Sequence, residues 1–256
     1  MQLRATLRGP APGRAAGAML ARVLGAVPHA RRFDVAVRMA RALAPTLRLA
    51  PILVGLRPSK LDTPAATVLS LILNQVHRRA IEFTPRIEVD GDPDVLAGRG
   101  RGAVVVGPYS KLNSLLIRYF HEHEPRTVVV TASDDAYQGL GSRATVPHVT
   151  ISPAFMVTLR RALAADALVS AMIETEPGAR RTLEFPTAKG PMHASDALIR
   201  LAERCGARLA FASIELTPGG SLRVVLRAPA TDQPRTVERD VAAYIGFVQE
   251  RAAATR

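Results

Sequence analysis

Two kinds of hydrophobic pattern meet near Gly102. Before this point apolar residues recur every three or four positions, as on one face of a helix, and beyond it short apolar runs typical of strands alternate with further helical stretches. Helices are predicted at residues 30–49, 63–83, 112–123, 153–164, 194–205 and 237–252. Strands are predicted at residues 103–106, 127–131, 148–151, 168–173, 208–214 and 222–226.

Strands that alternate with helices are typical of the α/β class. The pattern therefore predicts a central mixed or mainly parallel sheet with helices on both faces, preceded by N-terminal helices, with residues 103–106 inside the sheet. A chain of 256 residues suits one large core, so residues 30–256 are predicted to form a single domain. Thr63 can cap the helix that starts at Pro64.

Residues 1–29 form a basic N-terminal segment, because no acidic residue precedes Asp34 while arginines are spread through alanine, leucine and valine. Glycines and prolines interrupt its first part, so only residues 15–27 suit a helix. The segment is predicted either to lie on a membrane surface or to be a frayed basic terminus. No run of eighteen residues lacks a charge, which argues against a membrane-spanning helix.

The net charge is +12, yet only three of the 34 cationic residues are lysines, and this bias towards arginine is typical of GC-rich coding sequences. A surface this basic attracts anionic partners whatever the origin of the charge. Nucleic acid is a disfavoured partner, because aromatic residues make up 4% of the chain and tryptophan is absent.

The single cysteine, Cys205, excludes an intramolecular disulfide and a multi-cysteine metal site, and its pattern suits an apolar filler on a helix in a reducing compartment. His121 and His123 flank Glu122, which raises the question of a metal site. Their spacing of two on a helix points the imidazoles to different sides, so a solvated helix end is the favoured interpretation and no metal is predicted.

The order of several short blocks resembles the lysophospholipid acyltransferase superfamily, and within it the lipid A late acyltransferases. The blocks are basic helices, residues 74–83, the glycine-bearing run 100–107, the run 168–174 ending in Glu174, and residues 184–190, 197–202 and 205–207. The resemblance covers residues 30–250. It implies a bacterial, cytoplasmic protein, associated with the inner face of the membrane, that handles acyl thioesters and needs no cofactor.

In that family the first strand delivers a histidine base and, five positions later, an acidic residue that orients it. The equivalent positions here hold Tyr109 and Ser114. A phenol with the reference pKa near 10 is only about 0.1% ionised at neutral pH, so Tyr109 is a poor base unless neighbours change its pKa. Lys111 is the obvious neighbour. His148, at a strand start, and His193, before a helix, are the remaining candidates for a base.

The resemblance also suggests substrate-binding residues. Glu174 ends a strand as in the family, and Arg180 and Arg181 follow it where the family engages anionic groups. Asp134 follows the second strand, where the carboxyl ends of parallel strands border a site, and the alternative interpretation is an acidic turn before Gly139 and Gly141. An acyl-carrier protein or acyl-coenzyme A is the implied acyl donor.

Three functions remain open from the sequence. The first is an acyltransferase that moves an acyl group from a thioester to a hydroxyl or amine with a catalytic arrangement unlike the family's. The second is a catalytically inactive family member that binds acyl chains and assists a partner enzyme. The third is a basic module that binds a membrane surface or nucleic acid, which explains the charge but not the α/β pattern. The oligomeric state is not predicted.

Overall fold

A computed structural model describes residues 19–20, 22–49, 61–97, 100–131, 146–175, 182–230 and 234–254. Residues 22–26 are helical, and six longer helices follow: α1 His29–Leu49, α2 Pro64–His77, α3 Asn113–His123, α4 Phe155–Ala164, α5 Ala197–Cys205 and α6 Val237–Ala254. The strands are β1 Ile87–Asp90, β2 Ala103–Gly107, β3 Thr127–Thr131, β4 His148–Thr150, β5 Leu168–Met172, β6 Thr182–Phe185, β7 Met192–Ser195, β8 Arg208–Leu216 and β9 Leu222–Arg227. A short 3₁₀ helix spans Pro93–Leu96.

Seven strands form the main sheet in the order β1-β9-β8-β2-β5-β3-β4. Only the β8–β9 pair is antiparallel in this sheet, and the other pairs are parallel. The predicted α/β class is therefore confirmed, as is the inner position of β2 between β8 and β5. Every residue of β2 is buried, as expected for a strand covered on both faces.

The side chains of β2 alternate between two hydrophobic cores. Val105 packs into a core that includes Phe33 of α1, Leu69 of α2 and Leu116 of α3. Val104 packs into the opposite core, which the next three helices share through Leu159 of α4, Leu198 of α5 and Phe247 of α6. The helices therefore cover both faces of the sheet, and the N-terminal helices belong to one of these layers.

The predicted helix at residues 63–83 extends six residues beyond the end of α2. Its start is confirmed, because the Thr63 hydroxyl accepts the Ala66 amide at 3.2 Å and Pro64 is the first helical residue. It ends at His77, and the chain then turns through Ala80, whose φ of 53° lies in the left-handed region. This turn lets Phe83 stack on Phe33 at 6.4 Å between ring centroids, so burial of an aromatic side chain overrides the helical pattern.

The predicted helix at residues 194–205 begins too early, because Ala194 and Ser195 belong to β7. β7 pairs antiparallel with β6 in a separate two-stranded sheet. Neither of these strands was predicted, nor was β1. Each has only four residues, so its pairing is decided by distant partners rather than by a local pattern. Cys205 is half-buried against the second core, as its apolar pattern indicated.

None of the helices in the described part of the chain combines the length and the apolar character needed to cross a lipid bilayer.

Candidate functional site

The connection from β2 to α3 leaves the carboxyl edge of the main sheet, where parallel sheets commonly hold their sites. It begins at Gly107, and a Cβ atom added to this residue would lie closer than 3.0 Å to the Ala212 carbonyl oxygen of β8. Glycine is therefore required for β2 and β8 to stay together at this level. Residues 108–112 then form a loop that brings Tyr109, Ser110 and Lys111 to the sheet edge.

A buried carboxylate holds this loop. The Ser110 hydroxyl donates to Asp62 Oδ1 at 2.6 Å, and the Lys111 backbone amide donates to Asp62 Oδ2 at 2.7 Å. The Lys111 carbonyl in turn accepts a hydrogen bond from the Ser70 hydroxyl of α2 at 2.7 Å. Both oxygens of Asp62 are thus used, and the loop is fixed between the segment before α2 and the start of α3.

The Asp62 carboxylate is in an unusual electrostatic position. Burial raises its pKa from the ordinary 3.8, while hydrogen bonds from Ser110 and Lys111 and the positive charges of Lys111 and Lys189 oppose this increase. Lys189 lies on the turn between β6 and β7 and is exposed as a whole residue. Partial desolvation nevertheless lowers its pKa, and the charge of Asp62 opposes that decrease. The two lysines and Asp62 therefore form one charge cluster.

Tyr109 presents its phenol at the surface of this cluster, with 41% of the residue exposed. The Lys111 ammonium donates to the phenol oxygen at 3.2 Å and lies 5.2 Å from the ring centroid. The hydrogen bond from Lys111 therefore places a positive charge directly beside the phenol oxygen.

Glu174, two residues after the end of β5, lies on the other side of the cluster. Its Oε1 accepts the Tyr109 backbone amide at 2.9 Å, and its backbone pairs with Ala194 of β7. Its negative charge acts on Tyr244 of α6, whose pKa is raised well above the ordinary value first by complete burial and then by Glu174. We call Asp62, Tyr109, Lys111, Glu174 and Lys189 the Tyr109 cluster.

The predicted site residues are thus partly brought together. Tyr109, Lys111 and Glu174 meet at the carboxyl edge of the sheet. Ser114 is half-buried in the first turn of α3, on the same connection. Asp134, Arg180 and Arg181 lie outside the described residues.

The two candidate histidines lie elsewhere. His148 is exposed on the edge strand β4, opposite Val129 and three strands from β2, which corresponds to about 14 Å across a sheet. His193 lies in β7, where its Nδ1 is 4.0 Å from Glu184 Oε2 across the small sheet. Its carbonyl accepts the Thr175 amide, so its backbone runs beside the segment that carries Glu174.

The end of α3 carries the other two histidines that raised the question of a metal. His123 lies against the Tyr119 ring with 4.0 Å between centroids, and its Nδ1 is 2.8 Å from the Tyr119 carbonyl oxygen. Within the described ranges no group of three or more histidine, cysteine or carboxylate residues could hold a metal ion.

Sequence reasoning missed Asp62, Ser110 and Lys189. The sequence did hold a signal for Lys189, because only three of the 34 cationic residues are lysines. In the structure two of these three lysines act on Asp62. The third, Lys60, lies outside the described residues. Asp62 carried no comparable signal, because an aspartate ahead of a capped helix is common in loops.

The fold and this edge site define an α/β protein with a mainly parallel sheet and a cluster of two carboxylates, two lysines and a phenol at its carboxyl edge. No protein-family profile matches the chain, and no curated protein sequence matches it.

Proposed function

We propose that this chain is an acyltransferase-like protein that binds an acyl thioester at the Tyr109 cluster and transfers the acyl group to a hydroxyl or an amine. The observation that carries the proposal is the hydrogen bond of 3.2 Å from the Lys111 ammonium to the phenol oxygen of the exposed Tyr109. It prepares a proton donor at the sheet edge where the resembled family performs acyl transfer.

In the proposed step, the Tyr109 hydroxyl donates to the carbonyl oxygen of the thioester. The acceptor oxygen or nitrogen attacks the carbonyl carbon, and negative charge develops on the carbonyl oxygen, where the Tyr109 hydroxyl and the nearby Lys111 charge stabilise it. The C–S bond then breaks, and the leaving thiolate takes up the proton that the acceptor loses. An amine acceptor attacks as the neutral base, whereas a hydroxyl acceptor requires a separate base.

Rigidity of the loop supports this role. Asp62 and Ser70 hold the backbone around Lys111, and Glu174 holds the amide of Tyr109, so the two donor side chains start from fixed positions. A preorganised donor stabilises a developing charge without the cost of reorienting when the reaction occurs. The charges of Lys111 and Lys189 also suit the phosphates of a carrier-protein arm or of coenzyme A.

A second candidate function is the binding of acyl groups without transfer, in support of a partner enzyme. The identity of Tyr109 and Ser114 favours it, because a phenol and a hydroxyl stand where the resembled family has its base and its acidic partner. In this function the same cluster holds the head of the ligand, and the chemistry takes place elsewhere.

Replacement of Tyr109 by phenylalanine tests the proposed donor. We expect Tyr109→Phe to lower the transfer rate from an acyl-coenzyme A or acyl-carrier donor by about 10²–10³-fold, the usual effect of losing one oxyanion donor. The melting temperature should change little, because the hydroxyl that is lost makes its hydrogen bond with Lys111 at the surface. Tyr119→Phe in the buried face of α3 is the matched control, and it should retain the wild-type rate. An unchanged rate in Tyr109→Phe would place the chemistry elsewhere.

Thermal melting separates the two candidate functions. If the chain only binds, the wild type will show no transfer while a long-chain acyl thioester raises its melting temperature. The double change Tyr109→His with Ser114→Glu restores the family pair, and a gain of transfer would show that the donor and acceptor sites are intact. Absence of both transfer and acyl stabilisation in every variant would reject both functions.

A further inference from the structure

The turn between β6 and β7 carries Lys189, whose amine takes no part in the proposed transfer step. The Thr187 hydroxyl donates to the Gly190 carbonyl at 2.6 Å and accepts the Lys189 backbone amide at 3.2 Å. The Gln249 side chain of α6 donates to the Pro186 carbonyl at 2.9 Å. These hydrogen bonds hold the backbone of Lys189 in place while the residue remains exposed.

The turn reaches the carboxyl edge of the main sheet through β7. This strand pairs with the backbone of Glu174, whose carboxylate accepts the Tyr109 amide. The positive charges of Lys111 and Lys189 both act on Asp62, and this carboxylate also accepts the Lys111 backbone amide at 2.7 Å. The amine of Lys189 therefore belongs to the same edge site as the Tyr109 phenol.

The two lysines of this site differ in how their amines are used. The Lys111 ammonium donates to the Tyr109 phenol oxygen at 3.2 Å. Within the described ranges, no hydrogen bond or close ion pair ties the Lys189 ammonium to another side chain. Partial desolvation lowers the pKa of Lys189 from the ordinary 10.5, although the charge of Asp62 opposes this decrease. A larger fraction of Lys189 than of an ordinary lysine is therefore the neutral amine, which is the nucleophilic form.

A lysine at position 189 is unusual in a chain this rich in arginine. Only three of the 34 cationic residues are lysines, and both lysines that the structure describes, Lys111 and Lys189, lie in the Tyr109 cluster. A guanidinium keeps its proton in proteins, so arginine would supply the same charge without a nucleophilic amine. Lys189 therefore provides a property that the prevailing arginine lacks, because its amine can lose a proton.

We infer that Lys189 is an internal acyl acceptor, which takes the acyl group from a thioester bound at the Tyr109 cluster. The inference rests on the proposed function and supplies an amine acceptor, which needs no separate base. The neutral Nζ of Lys189 attacks the carbonyl carbon, and the Tyr109 hydroxyl stabilises the negative charge on the carbonyl oxygen. A C–N bond forms as the C–S bond breaks, and the leaving thiolate takes up the proton that the nitrogen loses.

The products are an amide on Lys189 and a free thiol. Because an amide is a much poorer acyl donor than a thioester, the acyl group stays on the chain and each chain is acylated once. Acylation also removes one of the two positive charges that act on Asp62. The modified chain therefore keeps the acyl group at its own edge site.

Incubation of the full chain with octanoyl-coenzyme A tests this inference. Intact-mass spectrometry measures the added mass, and peptide mapping locates it among the three lysines. We expect one octanoyl group per chain, on Lys189, with release of one thiol. Lys189 should react at least about tenfold faster than Lys60, because a bound donor raises the local concentration of the thioester, and concentrated urea should abolish this preference.

Two matched substitutions separate the amine of Lys189 from its charge. Lys189→Arg keeps the positive charge and should lose the adduct. Lys60→Arg is the same substitution at a residue outside the Tyr109 cluster, and it should keep the adduct on Lys189. Tyr109→Phe should slow the acylation of Lys189 by about 10²–10³-fold, because the oxyanion donor is lost.

The melting temperature with octanoyl-coenzyme A distinguishes failure of this inference from failure of the proposed function. A rise in melting temperature and transfer to an added hydroxyl or amine, with Lys189 unmodified, would overturn the inference and leave the proposed function standing. Equal acylation of Lys60 and Lys189, or the same preference in urea, would also overturn it, because the reaction would then be ordinary surface chemistry. Absence of stabilisation, transfer and acylation together would overturn both.

Discussion

At the residue scale, Asp62 organises the candidate site although it does not reach the surface. Its two oxygens accept hydrogen bonds from the Ser110 side chain and the Lys111 backbone. Its negative charge opposes the decrease in the pKa of Lys189. Burial makes the ionised carboxylate costly, and the hydrogen bonds and lysines compensate only in part, because the pKa of Asp62 remains raised. The buried carboxylate therefore fixes the loop at residues 108–112 at a cost in folding free energy.

The raised pKa of Asp62 predicts a pH dependence of stability with a definite sign. Above 3.8 and below the raised value, the folded chain holds a proton on Asp62 that the unfolded chain has lost. The free energy of unfolding from this group therefore falls as pH rises through that window and is constant above it.

Urea unfolding of the wild type and Asp62→Asn between about pH 4 and about pH 7 measures this effect, because the difference between the two cancels the other titrating groups. The wild type should gain stability relative to the variant as the pH falls. A difference that stays constant, or that grows with rising pH, would show that Asp62 is not held at a raised pKa.

At the element scale, the β2–α3 connection depends on how closely two strands approach each other. β2 and β8 are parallel neighbours, and Gly107 lies at the carboxyl end of their pairing. The Ala212 carbonyl oxygen occupies the space that a Cβ atom would need, and a backbone atom in a central strand cannot move aside without shifting the sheet. The close approach of Gly107 to the Ala212 carbonyl oxygen therefore sets the position of the loop at residues 108–112.

Gly107→Ala should lower the free energy of unfolding by at least about 2 kcal/mol, because the sheet must shift to remove the overlap. The matched control is Gly246→Ala in α6, where an added Cβ meets no heavy atom within 4 Å. There the change should stabilise the chain by about 0.5–1 kcal/mol, since alanine favours a helix interior. Urea unfolding of both variants checks the pair, and a destabilisation of similar size in both would remove the strand contact as the cause.

At the scale of the whole molecule, the basic N-terminal segment and the core are joined. Leu24 lies within the segment of residues 1–29, yet its side chain is buried in the same core as Phe33. Its neighbours Met19 and Val23 are 69% and 45% exposed, which places apolar side chains beside exposed arginine on the outside of this layer. A membrane test that removes the whole segment would therefore also damage the core.

Substitutions of exposed residues in the segment test membrane binding without disturbing the core. If the segment binds an anionic membrane surface, the full chain should sediment with phosphatidylglycerol vesicles, and added salt should weaken the binding. Val23→Asn with Met19→Ser should reduce the bound fraction, because the apolar contact with the bilayer is lost. Val157→Asn is the control, since Val157 is an apolar residue of α4 with 52% exposure outside this segment. Equal sedimentation of all three proteins would remove Met19 and Val23 as membrane contacts.

Elements with a strong local pattern were predictable, and strands that depend on pairing with another segment were not. Residues 127–131 were predicted with the bounds that β3 has, because three consecutive valines flanked by threonines suit a strand on their own. β6 and β7 were missed, because each becomes a strand only through the other and through the bridge from Glu174 to Ala194. In the site, Tyr109, Lys111 and Glu174 were predicted and Asp62 was not.

Patterns along the sequence were sufficient for the α/β class, for the inner position of β2 and for the choice of Tyr109 on the β2–α3 connection as a candidate site residue. These features follow from local periodicity and from residue identity at fixed spacing, both of which can be read along the chain. The contacts of Asp62 could not be read from the sequence, because it holds the loop at residues 108–112 from 48 residues away and Lys189 acts on the same carboxylate. Burial and charge depend on distances in space, and the chain brings these groups together only when the sheet and its two helical layers have formed.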